Sequence, residues 1–221
     1  MKYCLLSEAT PSTAIHCLYY AQTQGIKISN VILVGNGDEK YTFFYEYSEV
    51  NEIDLYFVKN PNGRECESIL KAINTDILLI MVGTILGENI LQIPKITTLN
   101  AHAGILPQYR GLDCVRWAIF NGDKIGVSVH VVNSGLDLGP IIARQYLSIR
   151  PNDTVKKIQE RNYYTNKWQT MIRGLKQIEE NKTEYISQKK SEGKQYYKMH
   201  NQMTEIVDIL LKKKISDNIS R

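Results

Sequence analysis

The chain reads TTLNAHAGILPQYRG at residues 97–111 and GLDLGP at residues 135–140. In the first stretch an apolar run ends in Asn100 and His102, and a loop containing glycine, proline, tyrosine and arginine follows. The second stretch places Asp137 between two glycines. Because residues i and i+2 of a strand share a face, the Asn100 amide and the His102 imidazole point the same way if this segment is extended.

These three side chains suit a reaction in which charge develops on an oxygen and protons move. An amide and an imidazole on one side of a cleft can stabilise an oxyanion while the ring shuttles a proton. Asp137, on a tight loop, can hold an imidazolium or a water molecule and accept the proton. The competing interpretation is structural: Asn100 caps a turn and His102 packs, as in most isolated N-x-H triplets.

Short apolar runs alternate with helical patterns on the N-terminal side of this stretch. Strands are predicted at residues 3–6, 31–34, 55–58, 76–82 and 96–101, and helices at residues 13–24 and 64–73. Residues 76–82 are apolar throughout, as expected of a central strand that is covered on both faces. The alternation predicts an α/β fold with a mostly parallel central sheet and helices on both faces.

The pattern continues on the C-terminal side with a helix at residues 114–120 and strands at residues 126–132 and 141–149. A long helix is predicted from the cap at residues 152–154 to about residue 181, with an irregularity at Gly174.

The C-terminal end of the chain shows two further patterns. Residues 184–188 and 195–198 predict a hairpin, and residues 203–215 predict an amphipathic helix that packs or dimerises rather than touching a membrane. We therefore expect one domain over residues 1–182. Residues 183–221 are expected to form a short hairpin and helix, a candidate dimerisation element.

Composition argues against several classes of protein. The 221 residues, 43% of them hydrophobic, suffice for one medium domain with a core. The net charge of +4 is mild and the lysine runs are expected to be solvated, so no nucleic-acid partner is expected. No apolar run approaches the ~18 residues of a membrane span, and the N-terminus turns polar too early for a signal peptide. Four scattered cysteines without a C-x-x-C pair fit a cytoplasmic protein better than a zinc knuckle or a disulfide scaffold.

The triplet Gly35-Asn36-Gly37 invites comparison with dinucleotide-binding loops. The third glycine of G-x-G-x-x-G is missing, and the aromatic-rich residues 41–47 that follow show no helical pattern. We predict a plain turn here, which weakens the alternative of a nucleotide-binding regulator.

Together, N-x-H, L-P-x-Y-x-G and L-D-x-G-P resemble the signature of the formyltransferases that use 10-formyltetrahydrofolate. The resemblance covers residues 76–180 well and implies an N-formyltransferase with a Rossmann-like catalytic domain over residues 1–182. It implies folate as co-substrate and neither a metal nor a covalent nucleophile. It also implies that Asn100 and His102 stabilise the oxyanion, that His102 moves a proton and that Asp137 supports it.

The chain departs from the family motif directly after the histidine. The family usually reads N-x-H-P-S-L-L-P, whereas this chain has Ala103 and Gly104 at the fourth and fifth positions. A serine hydroxyl is absent there, which changes the expected shape of the acceptor pocket.

The resemblance further implies that the pteridine of the donor lies between two loops rich in backbone groups. These loops consist of Gly83, Thr84, Ile85 and Leu86, and of Val132, Asn133, Ser134 and Gly135. The first loop follows the strand at residues 76–82, at the strand end where open α/β sheets place ligands. The competing interpretation is two plain turns.

Three further residues have roles that the sequence leaves open. Arg110 can pair with a phosphate of the acceptor and Tyr109 can stack on a base, or both can brace their loop. His130, on an apolar strand, is either structural or a minor contact of the folate.

Branches of the family differ in features that a sequence shows. Enzymes acting on glycinamide ribonucleotide carry a glycine-rich phosphate loop after the first strand, but residues 7–11 contain no glycine. Initiator-tRNA formyltransferases carry a further C-terminal β-barrel and folate hydrolases a further N-terminal domain, for which 221 residues leave no room. The remaining resemblance is to sugar N-formyltransferases, which modify nucleotide-linked deoxyaminosugars for surface polysaccharides. The alternatives are a glycinamide ribonucleotide formyltransferase and a folate-binding module without turnover.

Overall fold

Five parallel strands form the sheet of the N-terminal part of the chain. The computed structural model describes residues 1–8, 11–36 and 42–219, which divide into two compact units. The first unit comprises the described residues up to 100 together with residues 131–135. The five strands, in the spatial order β3-β2-β1-β4-β5, are β1 (Tyr3–Glu8), β2 (Ile28–Val34), β3 (Asp54–Val58), β4 (Ile77–Met81) and β5 (Thr97–His102).

Helices connect these strands, as parallel pairing requires. They are α1 (Pro11–Thr23), α2 (Thr42–Val50), α3 (Arg64–Ile73) and the short α4 (Glu88–Leu91). Every residue of β4 is buried, in agreement with its apolar sequence. α3 has the predicted bounds, and Asn74 caps it in a left-handed conformation (φ 56°).

α2 contradicts the prediction that no helix follows the glycine triplet. Residues 37–41, including the last glycine of the predicted turn, lie outside the described residues. From Thr42 the chain is helical, and Phe44 and Ser48, four residues apart, are buried on one face. Burial of this face outweighs the modest helix propensity of aromatic residues, because propensity is a weak preference that tertiary packing overrides.

The second unit comprises residues 101–130 and the chain from residue 136 to the C-terminal helix. Its strands and helices are β6 (Tyr109–Gly111), α5 (Cys114–Phe120), β7 (Ile125–Val131), β8 (Ile141–Leu147), α6 (Val155–Arg161), α7 (Lys167–Glu179), β9 (Lys194–Tyr196) and α8 (Asn201–Ile219). β7 and β8 pair antiparallel, and β6 and β9 form a separate parallel pair. The predicted α/β class with a mostly parallel sheet is confirmed.

The long helix predicted after residue 154 is two helices joined by a π-helical turn, Asn162–Asn166. Thr154 caps α6 as predicted, since its side chain accepts a hydrogen bond from the Lys157 N–H (3.2 Å). The predicted irregularity at Gly174 is wrong. Gly174 lies inside α7, where a Cβ atom would come within 2.9 Å of the Ile142 side chain, so this glycine permits close packing.

The predicted C-terminal hairpin is also wrong. In the described structure, β9 pairs with β6, and Ile186 forms an antiparallel bridge with Ile141 of β8. An isolated two-stranded hairpin is marginally stable in water, and pairing with strands that are already packed stabilises the segment more.

The predicted amphipathic helix is present as α8. Val207 and Leu211, four residues apart, are buried in an apolar cluster with residues of α5 and α6, so this face packs within the chain. Ile206 and Ile209 are exposed. No helix among the described residues is long and apolar enough to cross a membrane.

Candidate active site

His102 ends β5, and both nitrogens of its ring face polar groups. Nε2 lies 2.7 Å from the backbone carbonyl oxygen of Tyr109, and Nδ1 lies 3.5 Å from Oδ2 of Asp137. A carbonyl oxygen only accepts hydrogen bonds, so we assign the proton of the neutral ring to Nε2. Nδ1 is then the nitrogen that can take up a proton, and Asp137 is placed to stabilise the charge that results.

Gly104 makes room for this ring. A Cβ atom at residue 104 would lie 2.9 Å from Nε2 of His102 and 2.8 Å from both the Tyr109 carbonyl oxygen and Cβ of Cys114. Such contacts are too short for carbon, so a larger residue would displace the ring or its neighbours. The departure from the family motif at Gly104 is therefore part of the geometry that surrounds His102.

Three groups hold the carboxylate of Asp137. Gly111 donates its N–H to Oδ2 at 2.8 Å, His102 faces the same oxygen, and Nε2 of His130 lies 3.4 Å from Oδ1. The side chains of Asp137 and both histidines are buried. Asp137 has a left-handed backbone (φ 52°), which aspartate and asparagine adopt more readily than most residues. The structure thus brings His102 and Asp137 together through an unusual loop conformation.

The surroundings keep Asp137 ionised and His102 neutral near neutral pH. Burial raises the pKa of Asp137, but the two histidine rings and the Gly111 N–H outweigh it, so this pKa lies well below its ordinary value. Burial lowers the pKa of His102 below its ordinary value, against the effect of the Asp137 carboxylate. Burial likewise lowers the pKa of Lys167 to about 8, again opposed by Asp137. A neutral ring beside a carboxylate suits a group that accepts a proton during a reaction.

Asn100, the third predicted catalytic residue, also lies in β5. It is half-buried, and its register partner in β4 is Ile80. It stands two positions before His102, the spacing of residues that share a face of a strand. The extended conformation on which the prediction depends is present.

His130 is a functional candidate whose role the sequence leaves open. It lies in β7, where the register with β8 shifts between Val129 and His130. Bulges of this kind re-aim side chains and are frequent beside active sites. In the structure the His130 ring faces the Asp137 carboxylate. The sequence pattern of the strand does not predict this contact.

The first predicted donor loop, residues 83–86, is held by two side chains that lie outside the sequence motifs, those of Glu8 and Asn62. The Gly83 N–H donates to Oε1 of Glu8 (2.8 Å). Asn62 donates through Nδ2 to the Ile85 carbonyl oxygen (2.9 Å) and accepts from the Gly87 N–H (2.8 Å). The loop follows β4, beside the point in the sheet where the strand order reverses, which is where such sheets bind ligands.

The second predicted donor loop begins at the end of β7. The Val132 N–H donates to the Thr98 carbonyl oxygen (2.8 Å), and Oδ1 of Asn133 accepts from the Gly135 N–H (3.0 Å). Val132 packs on the apolar cluster in which Leu86 of the first loop is buried. Both loops therefore meet at one apolar cluster, and each also exposes residues to solvent. Apolar surface combined with backbone donors and acceptors suits a planar polar ring such as a pteridine.

Replacing Asn62 by alanine is expected to weaken binding of the formyl donor. The substitution removes one hydrogen bond to Ile85 of the first loop and one to Gly87, the residue that follows the loop, and each contributes about 1 kcal/mol. We expect KM for 10-formyltetrahydrofolate to rise about 5- to 30-fold in steady-state assays, with kcat within about 3-fold. Asn51→Ala is the control, because Asn51 bonds to the Tyr47 carbonyl oxygen (2.8 Å) in the same unit. An unchanged KM for the Asn62 variant would remove this loop from the donor site.

The structure buries both residues that are predicted to contact the acceptor. The Tyr109 hydroxyl donates to Asp123, and its ring stacks on Tyr196 with 5.0 Å between centroids. Arg110 donates to two backbone carbonyl oxygens within residues 190–193, at 3.1 and 3.0 Å. These contacts favour the bracing role, and the acceptor role of both residues stays a prediction.

Comparison with known protein families identifies the family of this chain. Residues 1–175 match the formyl transferase family. The methionyl-tRNA formyltransferase of Thermodesulfovibrio yellowstonii is 39% identical over 94 residues, which are 42% of this chain and 30% of that protein. The chain spans about a third to a half of the length of the first curated relatives it matches.

Two solved structures share the fold. Glycinamide ribonucleotide transformylase 1 from Symbiobacterium toebii has a TM-score of 0.69 at 17% identity and covers 85% of this chain and 94% of its own. A sugar N-formyltransferase from Shewanella sp FDAARGOS_354 has a TM-score of 0.67 at 13% identity and covers 96% of this chain and 88% of its own. At these identities the likeness concerns the fold alone.

Formyltransferases of this family use 10-formyltetrahydrofolate, and one protein of this fold has been solved with tetrahydrofolate. Within the described residues, no group of three His, Cys, Asp or Glu side chains is arranged to hold a metal ion. The family match covers most of the chain, including both stretches that bring His102 and Asp137 together, and the chain therefore belongs to the formyl transferase family.

Proposed function

We propose that this enzyme transfers the formyl group of 10-formyltetrahydrofolate to the amino group of a nucleotide-linked deoxyaminosugar, in the synthesis of a surface polysaccharide. The observation that favours a sugar as the acceptor is the amino-acid sequence that follows β1. The strand ends at Glu8, and residues 7–11 of the sequence contain no glycine. The sequence therefore lacks the glycine-rich phosphate loop expected for an enzyme that acts on glycinamide ribonucleotide.

In the proposed reaction the neutral amine of the acceptor attacks the formyl carbon, and the formyl oxygen becomes negatively charged. Asn100 donates an N–H of its amide to this oxygen. Nδ1 of His102 takes up the proton that the attacking nitrogen loses, and Asp137 stabilises the imidazolium. The proton passes to the folate nitrogen as the bond between that nitrogen and the formyl carbon breaks. The products are the formamide and tetrahydrofolate, with no net uptake or release of protons.

The donor is proposed to bind through the loops at residues 83–86 and 132–135. Their backbone groups would bond to the polar edge of the pteridine, while Leu86 and Val132 supply apolar contacts. The second loop leads directly to Asp137, and the first loop is followed by α4 and then by β5, which carries Asn100 and His102.

We further propose a cytoplasmic homodimer that binds neither nucleic acid nor a membrane. The four cysteines are buried free thiols, which suits a reducing compartment. The family match ends at residue 175, close to the boundary expected at residue 182. The exposed Ile206 and Ile209 of α8 are the surface through which a second copy would pack.

One of the sequence comparisons favours a second candidate acceptor. The curated relative at 39% identity is a methionyl-tRNA formyltransferase. The alternative acceptor is therefore the amino group of methionyl-tRNA.

An absorbance assay for release of tetrahydrofolate tests the choice of acceptor. The panel contains nucleotide-linked aminosugars, glycinamide ribonucleotide and methionyl-tRNA, and the Asp137→Asn enzyme serves as the blank. We expect acceptor-dependent turnover with one nucleotide-linked sugar. Turnover with only the ribonucleotide or only the tRNA would replace the sugar by that acceptor, and no turnover with any acceptor would contradict the proposal.

A further inference from the structure

The segment from residue 186 to residue 199 packs on the Asp137 loop and on β6 of the second unit. Ile186 and Ile141 exchange two backbone hydrogen bonds of 2.9 Å, next to the Asp137 loop in sequence. Farther along, β9 pairs with β6, and the Met199 N–H donates to Oδ2 of Asp113 (2.9 Å). The segment is therefore anchored at both ends on the same unit.

Gln188 lies between these anchors and contacts the backbone of the Asp137 loop. Its Nε2 donates to the carbonyl oxygen of Asp137 (3.1 Å) and to that of Gly139 (2.5 Å). Oε1 accepts no hydrogen bond within the described residues. The reverse orientation of the amide would set Oε1 against two carbonyl oxygens, so the two donated bonds fix the orientation.

The position of Asp137 depends on such support. Its left-handed backbone is sparsely populated and persists where the surroundings hold it. Its carboxylate has to stay in line with Nδ1 of His102, 3.5 Å away, while also accepting from the Gly111 N–H. A shift of about 1 Å in a catalytic group can lower a rate about 100-fold.

We propose that Gln188 is a positioning residue for formyl transfer, whose side-chain amide holds the Asp137 loop so that the carboxylate stays beside His102. The inference rests on the proposed function for the identity of the reaction. It assigns the C-terminal segment to the catalytic unit, since a residue outside all the family motifs sets the geometry of a motif residue.

Two substitutions test this role. Gln188→Ala removes both donors, and Gln188→Glu keeps the shape but sets a carboxylate against two carbonyl oxygens. Gln202→Ala, at an exposed glutamine of α8, is the matched control. We expect kcat to fall about 10- to 100-fold in Gln188→Ala and at least as far in Gln188→Glu, with KM for donor and acceptor within about 2-fold. Gln202→Ala is expected to match the wild-type enzyme.

A second measurement needs no acceptor. The ring of His102 is surrounded by Asp137, His130, Lys167 and the thiol of Cys114. Of these groups, Asp137 raises its pKa, so a displaced carboxylate leaves a lower pKa. In NMR titrations of the His102 ring, we expect both Gln188 variants to titrate at lower pH than the wild-type protein and Gln202→Ala to be unchanged.

The results separate this inference from the proposed function. If the wild-type enzyme turns over no acceptor, the proposed function fails, and the titration alone still decides the role of Gln188. An unchanged kcat, an unchanged His102 titration, or a rise in KM at constant kcat would each overturn the positioning role. Thermal unfolding of each variant identifies a loss of folded protein, and the isosteric Gln188→Glu keeps the test available if the alanine variant does not fold.

Discussion

Replacing Asp137 by asparagine is expected to lower kcat for formyl transfer about 10²- to 10⁴-fold. Asparagine tolerates the left-handed backbone of this position (φ 52°), and its amide oxygen can still accept from the Gly111 N–H. The charge beside Nδ1 of His102 is lost, however, so the imidazolium that forms during transfer has no counter-ion. The fold is expected to be retained, because no left-handed strain or cavity is introduced.

The measurement is kcat from release of tetrahydrofolate, together with thermal unfolding. Asp153→Asn is the control, because Asp153 is also a paired carboxylate, bound to Arg161 through two contacts of 2.8 Å. This control is expected to lose stability and to keep its kcat. Since the Asp137 carboxylate raises the pKa of His102, the ring in Asp137→Asn is expected to titrate at lower pH. Unchanged turnover in Asp137→Asn would contradict its catalytic role.

Replacing Gly104 by serine is expected to reduce kcat/KM about 100-fold, although serine is the residue that the family motif usually carries at this position. A Cβ atom would come within 2.8–2.9 Å of the Tyr109 carbonyl oxygen, Cβ of Cys114 and Nε2 of His102. Two of these atoms belong to the backbone and to the start of α5, so the imidazole is the group most easily displaced. The ring would lose its bond to Tyr109 and its alignment with Asp137.

Overpacking at a buried site also costs about 1–3 kcal/mol of folding free energy, so activity and stability have to be measured together. We expect the activity of Gly104→Ser to fall by more than the fraction of unfolded protein accounts for. Ala103→Ser, at the adjacent half-buried position, is expected to keep most of its activity. A fully active Gly104→Ser enzyme would show that the ring does not need this space during catalysis.

Several elements could be predicted from the sequence because local patterns decide them. The helices Arg64–Ile73 and Cys114–Phe120 have the predicted bounds, and β4 follows from its apolar run. α2 and the π-helical turn at Asn162–Asn166 were not predictable in this way, since both depend on which side chains the rest of the fold buries. The prediction of the pairing of β9 was wrong for a related reason: the sequence of a three-residue strand does not indicate its partner.

In the candidate site, too, local sequence patterns predicted some features and tertiary packing decided the others. The motifs by themselves determined the resemblance to the family and the placement of Asn100 and His102 in one strand, because these features are local in the sequence. They also predicted that Asp137 would hold the His102 imidazolium or a water molecule. Only the tertiary structure decided which nitrogen of His102 meets the carboxylate, and it alone brought His130 and Gln188 to the Asp137 loop. Those contacts join residues far apart in the sequence. They depend on distances of about 3 Å that no residue pattern encodes, and the packing of the folded chain sets them.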